Sequence, residues 1–82
     1  MGYLNKTYDH IATESYDQSV RIDDSQSPTS YFGFAKTGAD ESALAWKIKR
    51  VSVANGITKV EYADGNNEYD NAWADRYSLI YS

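Results

Sequence analysis

The chain has 82 residues, no cysteine and a formal charge of −4 at pH 7. A single domain this small buries only a little over half of its unfolded surface, so neighbouring molecules are expected to add to its stability. Disulfides and cysteine-based zinc sites are excluded, and the acidic balance argues against binding to nucleic acid, which requires clustered Lys and Arg.

Residues 1–18 combine polar side chains with scattered tyrosines and show no period of 2 or 3.6. We therefore predict an extended N-terminal arm that is ordered by contact with the domain or with a neighbouring subunit. Tyrosine suits such interfaces because a large apolar ring carries a polar tip. The interface candidates in this arm are Tyr3, Tyr8 and Tyr16. No stretch approaches the roughly 20 apolar residues of a membrane span, so no membrane partner is expected.

Residues 19–82 are predicted to form one small β domain. Alternation in Ser19 to Asp23 indicates a short strand, and the composition of residues 24–29 indicates a loop. Residues 30–36 form the next predicted strand, which carries its apolar side chains on both faces. Gly33 in its middle indicates either a bulge or an aromatic ring packed closely over the backbone.

Residues 46–64 are the central element of the prediction, a β-hairpin that turns at Asn55-Gly56. A two-residue loop at this point places Arg50 opposite Glu61 and makes four paired positions predictable: Ala54 with Ile57, Val53 with Thr58, Val51 with Val60, and Arg50 with Glu61. Trp46 and Ile48 fall on the opposite parity from Val51, which predicts a bulge or strong twist near Lys49 and Arg50.

Turn residues follow the hairpin, and the end of the chain is predicted to form one more strand. Asp70 or Asn71 is expected to cap a short helical turn over residues 72–75. Tyr77, Leu79 and Tyr81 then alternate as a final strand. The predicted fold class is all-β, a small antiparallel sandwich or barrel with a central Asn-Gly hairpin and an extended N-terminal arm.

Asp64, Asn66, Glu68 and Asp70 alternate as the oxygen ligands of a calcium loop do. However, Gly65 is in the second position, where the calcium-loop pattern places glycine sixth. We expect a solvated turn here, and a calcium site is the alternative.

Catalytic chemistry finds little support in the composition. His10 is the only histidine, and the chain has neither a cysteine nucleophile nor a glycine-rich phosphate loop. A glycosidase needs two carboxylates about 5 to 9 Å apart in a sugar-sized cleft, for which a small β domain has little room. The expectation is a protein that is not an enzyme and has no cofactor.

Two segments resemble a family of small proteins encoded by tailed bacteriophages. Residues 32–50 resemble that family's run YxGxAxxGTxxSxAxWxIxR, and residues 62–65 with 69–82 resemble its ending YADGxxxFDNxWxDRxSLxYS. The resemblance covers about residues 30–82 and implies a virion component. It carries no catalytic residues over to this chain.

The resemblance gives a structural role to Trp46, Trp73 and Arg76. Tyr81, in the predicted final strand, is a further structural or interface candidate. We expect the tryptophans to pack the ends of the core and Arg76 to pair with an acid such as Asp70 or Asp75, which holds the last turn against the hairpin. The predicted function is a structural component of a virion, in the capsid, the head-to-tail connection or the tail, with copies of itself and other virion proteins as partners. A small carbohydrate-binding module, which could face the host, is the alternative.

Overall fold

The strands form one antiparallel sheet in a computed structural model, which describes residues 18–82. They are adjacent in sequence order, and the elements are β1 (Gln18–Gln26), β2 (Thr29–Lys36), β3 (Lys47–Ala54), β4 (Ile57–Tyr62) and a 3₁₀ helix (Trp73–Asp75). The predicted all-β antiparallel class is confirmed. The predicted N-terminal arm lies outside the described residues, except for Gln18, which begins β1.

The central hairpin has the predicted turn and the predicted register. Asn55 and Gly56 have φ angles of +53° and +78°, the left-handed values that a type I′ turn requires at both positions. All four predicted pairs are present, from Ala54 with Ile57 to Arg50 with Glu61. The bulge predicted near Lys49 and Arg50 is wrong, because the register of β3 with both neighbours is unbroken there.

The sheet needs no bulge because it is apolar on both faces. The first face carries the larger buried cluster, which consists of Tyr31, Ala35, Trp46, Ile48, Ala63, Trp73 and Tyr81. The second face carries Phe32, Phe34 and Val51, with Val20 packed against them. Ile48 and Val51 thus belong to opposite faces of a regular strand. The ammonium groups of Lys47 and Lys49 lie 5.2 and 5.5 Å from the centre of the Phe34 ring.

The connection between β1 and β2 is shorter than predicted. A loop over residues 24–29 is wrong, since β1 continues to Gln26, which pairs with Thr29 across a two-residue turn. The ladder is irregular between Asp23 and Gln26. There the Asp23 carboxylate accepts hydrogen bonds from the Ser25 amide at 2.9 Å and from its hydroxyl at 2.6 Å. These bonds satisfy polar groups at the irregularity, so the strand can resume.

Residues 63–82 cross the first face of the sheet and contribute no long strand. The predicted strand over residues 77–82 is wrong for its first half, which is wound by turns. Its last three residues lie antiparallel to residues 62–64, with one bridge between Tyr81 and Ala63 and backbone bonds from Ile80 and Ser82. Consecutive turn bonds from Arg76 to Trp73 and from Ser78 to Asp75 wind the chain before it can extend. The segment is therefore a cover made of turns.

The predicted cap of the helical turn is also wrong. The 3₁₀ helix follows Ala72, whose side chain has no polar atom, and no side-chain cap is present. The Asn71 amide donates instead to the Asp70 carboxylate at 3.1 Å. Asn71 is held by its backbone, which exchanges two hydrogen bonds with Trp46, so the bridge to Trp46 positions the start of the helix.

Candidate functional site

Trp46 and Trp73 are buried side by side on the first face, with ring centres 6.1 Å apart. Gly33 lies beneath them. A Cβ atom at Gly33 would stand 2.4 Å from Cε3 of Trp73 and 3.2 Å from Cε3 of Trp46, so only glycine leaves room for both rings. The close aromatic packing predicted for Gly33 is confirmed. The indole nitrogen of Trp46 donates to the backbone oxygen of Asp40 at 2.9 Å.

Arg76 connects the C-terminal segment to β1. Its Nε donates to the Asp23 carboxylate at 2.9 Å, so Arg76 pairs with an acid as predicted, but the two acids named as examples, Asp70 and Asp75, are wrong. The guanidinium lies over the rings of Trp73 and Tyr77, with Cζ 4.4 and 4.7 Å from their centres. Asp23 lies on β1 and its side chain is on the first face, the face that residues 63–82 cross. The bond to Asp23 therefore holds Arg76 against the sheet.

The Asp23 carboxylate is the most heavily bonded acid of this site. It accepts hydrogen bonds from Ser25, from the Tyr77 hydroxyl and from Arg76. The bonds from Ser25 and Tyr77, followed by the bond from Arg76, hold the pKa of Asp23 well below its ordinary value near 3.8. Asp23 is thus charged in the folded protein even under acidic conditions.

This pKa predicts a specific loss of stability in acid. A carboxyl group whose pKa is lower in the folded state stabilises that state above its unfolded pKa, near 3.8, and this contribution is lost as pH falls toward the folded value. We expect the melting temperature of an Asp23→Asn variant to lie below that of the wild type at pH 7. The gap should narrow as pH falls from about 4 toward 2. Thermal melts of both proteins across this range measure it, and a gap that stays constant would contradict the assignment.

Three tyrosines pack together between β2 and the C-terminal segment. Tyr31 meets Tyr77 and Tyr81 edge to face, with ring centres 5.2 and 5.8 Å away. The Tyr81 hydroxyl donates to the backbone oxygen of Arg76 at 2.7 Å, and burial raises the pKa of this phenol. The structure thus brings together four of the predicted residues, which we call the C-terminal cluster: Trp46, Trp73, Arg76 and Tyr81. The other three, Tyr3, Tyr8 and Tyr16, lie outside the described residues.

Exposed apolar side chains also lie at the far end of the central hairpin, apart from single ones such as Leu44 and Ile80 elsewhere. Three of them, which we call the hairpin patch, are Val53, Ile57 and Val60, with 44%, 61% and 52% of their surface exposed. Val53 and Val60 lie on the second face of the sheet and Ile57 on the first. The sequence analysis predicted the pairing of Val53 with Thr58 and of Val60 with Val51, but it did not identify Val53 and Val60 as a site. Alternation indicates which side chains share a face, and gives no sign of whether that face is covered.

A cavity of about 500 Å³ opens at another edge of the sheet, near the start of β1. Its lining residues among the described part of the chain are Gln18, Lys36, Leu44, Ala45 and Tyr69. Tyr69 is the aromatic one, and its hydroxyl accepts a hydrogen bond from the Gln18 amide at 3.2 Å. The ammonium of Lys47 lies 5.3 Å from the centre of the Tyr69 ring. This is an apolar recess with few polar groups.

The polar side chain of Asn66 forms hydrogen bonds within the acidic loop, residues 64–70. The Asn66 side chain donates to the backbone oxygen of Asp64 at 3.4 Å and accepts from the Glu68 amide at 2.9 Å. Over residues 18–82, no group of three or more His, Cys, Asp or Glu side chains converges as metal ligands would. The same part of the chain contains no helix with the length and apolar character that a bilayer crossing requires.

Comparisons of the chain with protein-family models, with curated proteins and with solved structures find no match. The chain's own residues thus carry the functional interpretation. They offer a buried C-terminal cluster, an exposed hairpin patch and one apolar cavity.

Proposed function

We propose that the protein is a structural component of a tailed-bacteriophage virion, in the head, the head-to-tail connection or the tail. It acts by contact with copies of itself and with other virion proteins. The observation that carries the proposal is the exposed hairpin patch on a very small domain. The resemblance of residues 32–50, 62–65 and 69–82 to small phage-encoded proteins supports the virion as the setting.

Covering the hairpin patch would change the stability of this domain substantially, because the core of the domain is small. Full burial of one Val or Ile side chain stabilises a protein by about 1.5 to 3 kcal/mol. A partner that covered Val53, Ile57 and Val60 would therefore add stability comparable to the few kcal/mol that a core of this size supplies. A protein that works inside an assembly is stabilised there by its neighbours.

The charged groups of the described residues also suit a structural part. Asp23, Glu41 and Glu61 are each within 2.9 Å of an arginine nitrogen, in pairs with Arg76, Arg21 and Arg50 respectively. The bond from Arg50 lowers the pKa of Glu61. Carboxylates held this way connect elements of the fold, and the proposed protein has no catalytic role.

A small carbohydrate-binding module is the second candidate, favoured by the cavity beside Tyr69. Aromatic side chains bind the apolar faces of sugar rings, and the Gln18 amide beside Tyr69 adds a hydrogen-bonding group. Among the described residues, Tyr69 is the one aromatic side chain that lines the cavity, which is a small surface for a sugar ring. The Lys47 ammonium already lies near the Tyr69 ring. The assembly function is therefore preferred.

Light scattering and thermal melts on the purified protein test the choice. We expect a multimer whose melting temperature rises with protein concentration, because neighbours that bind only the folded state stabilise it by mass action. A glycan array with the wild type and a Tyr69→Ala variant is the companion measurement. A monomer with a constant melting temperature, together with glycan binding that Tyr69→Ala abolishes, would replace the assembly function with the carbohydrate-binding one.

A further inference from the structure

The outer edge of β4 is paired at only one end. The amide of Tyr62 donates to the oxygen of Ser82 at 3.0 Å, and its carbonyl accepts from the Ser82 amide at 3.1 Å. On the inner side, the amide of Ala63 donates to the oxygen of Ile48 on β3 at 2.9 Å. Backbone groups of successive residues point to opposite sides of a strand, so Tyr62 points outward and its neighbours point inward.

The same alternation directs the backbone groups of Thr58 and Val60 outward. Their positions opposite Val53 and Val51 in β3 agree with non-hydrogen-bonded pairs. Both residues are exposed, and within residues 18–82 neither forms a backbone bond along this outer edge. An open edge of this kind binds an extended backbone.

Few features protect the edge of β4. Its register with β3 has no bulge, and the only proline of the chain, Pro28, lies in the turn between β1 and β2. The protecting charge on the open part of the strand is the exposed Lys59. The hairpin patch surrounds the open edge, with Val60 on the strand itself and Val53 on its neighbour. A strand added at this edge would cover apolar side chains as well as backbone groups.

We propose that β4 pairs antiparallel with β4 of a second copy of this chain, about a two-fold axis at Thr58, so that two sheets become one. The inference deepens the proposed function, on which it rests for the choice of a copy as the partner. Thr58 faces Thr58 of the other copy in a doubly hydrogen-bonded pair, and Val60 faces Gly56.

The register follows from two features of the edge. An axis at Val60 would place Thr58 of the second copy opposite Tyr62, where Ser82 already forms both bonds. An axis at Lys59 would place two lysine side chains directly opposite each other, which destabilises a strand pair. The axis at Thr58 avoids both conflicts and places Lys59 opposite the apolar Ile57.

A proline scan of the edge tests the pairing. Thr58→Pro removes an outward amide and leaves every bond between β3 and β4 in place, whereas Thr58→Val keeps that amide and is the matched control. We expect the wild type and Thr58→Val to dimerise in sedimentation equilibrium. Thr58→Pro should raise the dimer dissociation constant by about tenfold or more, with an unchanged circular dichroism spectrum.

Two variants that alter no backbone group test the register. Ile57 is exposed and, in the proposed register, faces Lys59 of the second copy. Ile57→Lys should weaken the dimer because it places two positive charges opposite each other, whereas Ile57→Glu should preserve it. Added salt should reduce both electrostatic effects. Equal effects of the two charges would overturn the proposed register, and with it the inference.

The remaining outcomes separate the inference from the proposed function. A dimer unaffected by both Thr58→Pro and Ile57→Lys would overturn edge pairing, while assembly through another surface would stand. A wild type that stays monomeric at every concentration would overturn edge pairing and self-assembly together.

Discussion

Replacement of Gly33 by alanine is expected to destabilise the protein by about 3 kcal/mol, at the upper end of the usual cost of overpacking a core. The added methyl group would stand 2.4 Å from one ring atom of Trp73 and 2.8 Å from another. Neither ring can move away easily, because Trp46 is fully buried on the other side and its indole nitrogen is bonded to Asp40. The effect is large for a domain with a small core.

Urea unfolding of Gly33→Ala and of a Gly38→Ala control measures this effect. Gly38 has a φ of +88° and open space around its Cβ position, so its replacement costs only about 1 kcal/mol of backbone strain. In a Trp73→Leu background the cost of Gly33→Ala should shrink, because the clashing ring is gone. A Gly33→Ala protein as stable as the wild type would show that the indole rings do not lie against this backbone.

Loss of the Arg76 side chain is expected to cost about 2 to 3 kcal/mol, since removal of one partner of a partly buried pair leaves the other uncompensated. Side-chain exposure is 21% for Arg76 and 11% for Asp23. Arg76→Ala also removes a hydrogen bond to the backbone oxygen of Trp73 and the stacking on two rings. Arg76→Lys should recover only part of the loss, because an ammonium lacks the planar fork.

Arg21→Ala is the matched control for Arg76→Ala. Arg21 pairs with Glu41 at 2.7 Å, yet the two side chains are 40% and 51% exposed, and such pairs contribute about 1 kcal/mol or less. Chemical denaturation of the two alanine variants in parallel compares a partly buried pair with an exposed one. Equal losses, or no loss for Arg76→Ala, would contradict the role assigned to Arg76.

The hairpin was predictable because its determinants are local. Asn55 and Gly56 specify a turn of one length, and that length determines every pair from Ala54 with Ile57 back to Arg50 with Glu61. Gly33 was informative for a similar reason, since a glycine in mid-strand has few physical explanations. Close contact with a ring is one of them, although no local pattern identifies Trp73 as the source of that ring.

The failed predictions concern contacts between distant residues. Arg76 has acidic neighbours along the chain in Asp70 and Asp75, but its partner Asp23 is 53 residues away. The alternation of Tyr77 and Tyr81 was interpreted as a strand, whereas in the fold both rings meet Tyr31 from a segment wound by turns. Local pattern cannot distinguish these cases, because only the position of the sheet decides which partner is within reach.

The candidate site also had a part that could be predicted from the sequence and a part that could not. Trp46 and Trp73 were chosen as structural or interface residues, and their burial on the first face makes them part of the core. The hairpin patch was missed although its sequence was correctly paired. Exposure depends on whether another segment lies over Val53 and Val60, and alternation along β3 and β4 contains no information about that.

The contact between Arg76 and Asp23 also orders the events of folding. Both hairpins join residues that are close in sequence and can form early, because short loops close at low entropic cost. The C-terminal segment docks on a surface that exists only once β1 and β2 are paired, so we expect its attachment to come late. We then expect opening of the native protein to begin with release of this segment, which would bring Trp73 into water while the strands are still paired.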